Sequence, residues 1–222
     1  MVDSTRQSQP VGSLDSFKAI PLGTLLIVST AFLLLFFDLV SSNYFYNSAS
    51  LTSTGYTSNP FTSLPRLIGN PFVHSGFYHF LVAVLAFPVA SSGLEHFIGS
   101  FQFIYLFFIA SLVTSFVYVL NMWLFSWIWP TWGLFPIAGL DVPFFTFIAI
   151  EGLAKRGVYE FASRIGNIVI HDVLFSLPFV IVFLIFLPFT SWIAHFVAVF
   201  VGFLCNYNHF IWLFLSSFNS FY

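Results

Sequence analysis

Four ionisable residues stand where an apolar chain should avoid them: His74, His79, Asp141 and His195. Placing such a group in hydrocarbon costs about 2.5–3.5 kcal/mol even on lenient scales, so each one asks for a reason. Asp141, Val142 and Pro143 also form a helix-start signal, because Asp caps free N–H groups and Pro is tolerated in a first turn. The stretch 132–139 before it reads as irregular chain inside the protein. His74 and His79 are five apart, roughly 140° around a helix. That spacing is poor for a shared metal, and no Cys, Asp or Glu adjoins them. No metal and no cofactor is expected. Asp38, Glu95, His171 and Asp172 fall at ends of apolar runs, where headgroups are within reach.

The elements carrying these groups must be membrane helices. Of 222 residues, 59% are hydrophobic and 6% charged. A soluble surface needs about 25–35% charged residues, so lipid is the main solvent. Phe accounts for 34 residues, which excludes a disordered chain. A net charge of −2 leaves no basic footprint for nucleic acid. The single cysteine, Cys205, excludes an internal disulfide and a thiolate zinc cluster.

A spanning helix needs about 20 apolar residues. Six runs qualify: 22–40, 71–91, 101–125, 133–153, 168–188 and 191–207. They are continuous rather than alternating, which predicts helices and not a barrel. The gap 41–70 is rich in Ser, Thr, Asn, Gly and Pro and reads as a structured loop or a pair of short helices. Residues 1–20 form a polar tail, 21–208 the transmembrane domain, and 209–222 an apolar, interfacial tail. Arg6, Lys18, Lys155, Arg156 and Arg164 lie on the terminus side and Arg66 on the other. By the positive-inside rule both termini are cytosolic and the 41–70 loop is luminal or external. Ala194, Ala198 and Gly202, at four-residue spacing, form a small-residue stripe that lets another helix approach closely.

From Pro65 to Tyr207 the ordered blocks resemble the rhomboid superfamily. Arg66, preceded by Pro65 where the family has Trp, is followed by His74 at the family's spacing. His79 matches the second-helix histidine, but Ala83 stands where the family carries Asn. Glu95, Gly99 and Ser100 match a Glu-x-x-x-Gly-Ser signature, and Ala194, His195, Ala198 and Gly202 resemble the sixth-helix motif. The resemblance implies an all-α, six-helix membrane bundle with a long luminal loop between helices 1 and 2. In the family, a fourth-helix Gly-x-Ser-Gly supplies a nucleophile and the sixth-helix His its base. Here that block reads Gly139, Leu140, Asp141 and Val142. Asp141 replaces the serine, so the resemblance sets its carboxylate beside His195 as a buried pair that is costly to break by removing one partner, and Ala83 removes a donor to the oxyanion. No serine lies within fourteen residues of Asp141, and Ser91, Ser92, Ser111 and Ser115 are no obvious substitutes.

The expected function is therefore that of a pseudoprotease. Such a non-catalytic, multi-pass rhomboid-like protein binds lipid and the transmembrane segments of clients. Its implied setting is membrane-protein quality control or trafficking in the endoplasmic reticulum or another secretory membrane. One alternative is an active intramembrane protease with another nucleophile. A second is a small transporter, although no internal repeat supports it.

Overall fold

The computed structural model describes residues 20–158, 162–165, 168–171 and 189–207. The polar leader, the C-terminal tail and residues 172–188 of the fifth expected span lie outside the described residues. Helix α1 covers Leu22–Val40, as its apolar run predicts. One face buries Ile27, Ala31 and Leu35, while Phe32, Phe36 and Phe37 point outward. Outward phenylalanines are stable only if lipid, not water, meets them.

Both acidic residues at the ends of the first two spans depart from expectation. They do not reach out to headgroups. Glu95 is 1% exposed, and Asp38 2%. The Glu95 carboxylate accepts hydrogen bonds from Gly23 N (2.6 Å), Thr24 N (2.7 Å) and Thr24 Oγ1 (2.7 Å). It thereby satisfies donors that the first turn of α1 cannot use internally. Asp38 does the same for the next helix, α2 (Tyr44–Ala49), accepting from Phe45 N at 2.6 Å and Tyr46 N at 2.9 Å.

The 41–70 segment folds into three short helices rather than two. After α2 come α3 (Ser53–Ser58) and α4 (Pro60–Gly69). Thr52 caps α3, and Asn59 caps α4 with Pro60 in the first turn. A bridge between Leu51 and Ile137 and a bond from the Arg66 guanidinium to Ser50 O fasten this segment to the body and to itself.

A 3-10 turn, Asn70–Phe72, leads to α5 (Phe77–Ile98), which starts six residues later than the apolar run 71–91 suggested. At the far end Gly99, with φ +85, turns the chain into α6 (Ser100–Ser126). Phe87, Phe103, Phe107 and Phe147 interlock there with centroids 5.3–6.4 Å apart. Residues 127–140 are irregular apart from a 3-10 turn, Pro130–Leu134, so the span expected from 133 begins as helix at α7 (Asp141–Val158). Positions 141–147 are buried without interruption, as an all-round apolar helix at the centre of a bundle must be.

An antiparallel strand pair comes next, β1 (Ala162–Ile165) with β2 (Ile168–His171). It amends the all-α expectation and removes the first turn from the expected span 168–188. Helix α8 (Phe189–Tyr207) then packs along α7. Ala194, Ala198 and Gly202 are all buried, and Gly202 faces α7. A side chain added at Gly202 would strike the Thr146 carbonyl and come within 2.7 Å of the Ala149 Cβ.

Among the described residues two helices, α1 and α6, are long and apolar enough to cross a membrane alone. A third crossing counts if Pro60–Phe72 and Phe77–Val89, bent by 71°, are taken together. Helices α7 and α8 contribute shorter apolar segments, Asp141–Ile150 and Ile193–Gly202.

Candidate functional site

The bend before α7 is held from several directions. Gly139 N donates to Asn70 O at 2.8 Å, and Leu140 N to His74 Nε2 at 3.2 Å. Asn70 is fully buried, its amide donating to Arg66 O (2.8 Å) and Ser115 Oγ (2.9 Å). Asn70 thus carries the order of α4 and α6 into the site. Sequence reading placed it merely at the end of a loop.

Gly139 has φ +118, and a Cβ there would lie 2.8 Å from the His79 ring and overlap the Asp141 carboxylate. Backbone strain in this region costs about 1–3 kcal/mol for a side-chain-bearing residue. Overlap with a packed group adds a similar amount. Gly139→Ala is therefore expected to lower stability by about 2 kcal/mol or more. Denaturation titration in mixed micelles measures this, and an unchanged midpoint would refute the packing described.

Asp141 opens α7 and is 2% exposed. Its carboxylate, expected to cap its own helix, is turned to two imidazoles. Oδ2 lies 2.6 Å from His195 Nε2 on α8, and Oδ1 lies 3.1 Å from His79 Nε2 on α5. The His195 ring stacks on Phe145 at 4.2 Å. A carboxylate accepts only, so each Nε2 carries a proton and donates. For His79 the neutral ring then leaves Nδ1 as an acceptor. Ser75 Oγ lies 3.1 Å from that atom.

His74 is not a helical neighbour of His79, since α5 begins at Phe77. The 140° argument fails for that reason. The rings meet edge-on at 5.1 Å, with His74 buried and bonded to the α7 bend. Ala83 is fully buried within the apolar core, one turn beyond His79. Glu95 and Gly99 lie at the other end of α5, in the clamp on α1 and the turn into α6. Arg66 supports the 41–70 segment, and Ala198 and Gly202 serve the α7–α8 seam. No group of three or more His, Cys, Asp and Glu side chains among the described residues is arranged to hold a metal ion. Sequence reading overlooked Ser75. Its signal was a serine four residues before His79.

The Rhomboid domain family model matches residues 62–211, more than half of the chain. The search of curated proteins found no match to this chain.

Proposed function

The chain belongs to the rhomboid family, and from that premise we propose that it acts at the family's site by binding rather than cleavage. In this reading it is a six-span protein of the endoplasmic reticulum or another secretory membrane, with both termini cytosolic. It holds the transmembrane segments of client proteins for quality control or trafficking.

The observation that carries the reading is the state of position 141. The family's dyad needs a hydroxyl there, deprotonated by the sixth-helix imidazole. Asp141 instead offers a carboxylate already engaged by His195 at 2.6 Å and His79 at 3.1 Å. It has no hydroxyl to transfer, and Ala83 supplies no donor to an oxyanion. What the site keeps is a polar centre inside an apolar bundle. Such a centre favours a client helix bearing polar or helix-breaking residues, which lipid disfavours.

Crosslinking and co-purification from membranes tests this, comparing the natural chain with Asp141→Ser,Val142→Gly. Expected are client crosslinks without cleavage in the natural chain and gain of proteolysis in the variant. Cleavage by the natural chain that is lost in His195→Ala would overturn the reading.

A further inference from the structure

We propose that Ser75, His79 and Asp141 form an acyl-transfer site, with Ser75 as nucleophile on a different element from the family's own. This goes beyond the binding role and stands on separate observations. Ser75 Oγ lies 3.1 Å from His79 Nδ1, and His79 Nε2 lies 3.1 Å from Asp141 Oδ1. Serine, imidazole and carboxylate are thus linked in the order that nucleophilic catalysis requires. Burial grades along the chain in the useful direction. Ser75 is exposed, the His79 side chain 10% exposed, and that of Asp141 3%. The nucleophile faces outward while the group that orients its base is shielded.

Two further features serve the reaction. A Cβ added at the neighbouring Gly76 would meet nothing within 4 Å beyond its two chain neighbours, so the space beside Gly76 is open. Helix α5 begins at Phe77 with Gly76 at its cap position, and a glycine there brings no side chain to cap the first N–H groups. Those donors stand next to Ser75 and suit an oxyanion.

In the acylation step Ser75 Oγ bonds to the carbonyl carbon of an ester, its proton passes to His79 Nδ1, and the carbonyl π pair moves to oxygen. Collapse breaks the bond to the alcohol oxygen, which takes the proton from Nδ1 and leaves an acyl-Ser75 ester. Water repeats the sequence, releasing the acid and restoring the hydroxyl. Asp141 is a positioning residue, holding the His79 ring in the tautomer that presents Nδ1. Esters are the substrate class, because an alkoxide leaves more readily than an amine when helix N–H groups alone meet the oxyanion.

An alkyl fluorophosphonate tests the assignment on the full chain in detergent. Ser75 Oγ would displace fluoride from phosphorus, the proton leaving with it. Peptide mapping is expected to place the adduct on Ser75 and to find none in Ser75→Ala. His79→Gln, which keeps a polar group but no base, is expected to slow labelling about 100-fold or more. Hydrolysis of p-nitrophenyl butyrate should fall in the same variants, and Asp141→Asn should slow labelling of protein that still unfolds cooperatively. An adduct on another serine, no adduct on cooperatively folded natural chain, or an unchanged rate in folded His79→Gln would overturn the proposal. Client crosslinking in Ser75→Ala separates the two readings, because capture should persist there whether or not Ser75 reacts.

Discussion

Replacing Asp141 by alanine is expected to destabilise the protein by about 3–5 kcal/mol, the cost of removing a buried carboxylate from the groups that hydrogen-bond it. The carboxylate is 2% exposed and His195 4%, so neither can turn to water when the other is removed. Asp141 also receives His79, so its removal strands donors on both α5 and α8. His195→Ala should cost less than Asp141→Ala, because the carboxylate keeps its contact with His79. The double change should cost less than the sum of the single ones, with a coupling energy of about 0.5–3 kcal/mol. Denaturant titration of the four proteins in mixed micelles measures all three quantities. Strictly additive losses would show that the 2.6 Å contact does not operate in the folded protein.

A second large effect is expected at the opposite end of α5. Glu95→Ala removes a carboxylate that accepts from Gly23 N, Thr24 N and Thr24 Oγ1. Hydrogen bonds to a charged group are worth roughly 1.5–3 kcal/mol each, and buried donors left unmade add their desolvation cost. The expected loss is therefore about 3 kcal/mol or more, with α1 loosened first. Glu95→Gln keeps one acceptor oxygen and should lose less. Hydrogen exchange at Gly23 and Thr24 reports the loosening directly. Unchanged protection there, with stability within about 0.5 kcal/mol of the natural chain, would exclude the clamp.

Several elements were legible before any coordinates. The run 22–40 is helical over its full length because nothing in it offers the backbone an alternative in lipid. The start of α7 at Asp141 was legible from an acid followed by Pro143. The stripe of Ala194, Ala198 and Gly202 announced a close helix contact, though not with which helix. The late start of α5 was passed over because Pro71, Phe72 and Val73 open an apolar run that resumes at Phe77, although Ser75 and Gly76 interrupt it. Hydropathy reports where lipid is tolerated, whereas a helix also needs a backbone free to continue. The strand pair β1–β2 escaped notice because Ile168, Val169 and Ile170 suit a strand or a span equally.

The amino-acid order alone determined the solvent, the helical character of the chain and the absence of a serine at position 141. Each of these depends on residue type or on neighbours within a turn or two. Only the tertiary structure decided that Asp141 would meet His79, 62 positions away, and His195, 54 positions away. Likewise it alone turned Glu95 inward as a cap on α1, 71 positions away. Those outcomes depend on how α1, α5, α7 and α8 pack, and local propensity holds no information about contacts between segments so far apart in the chain.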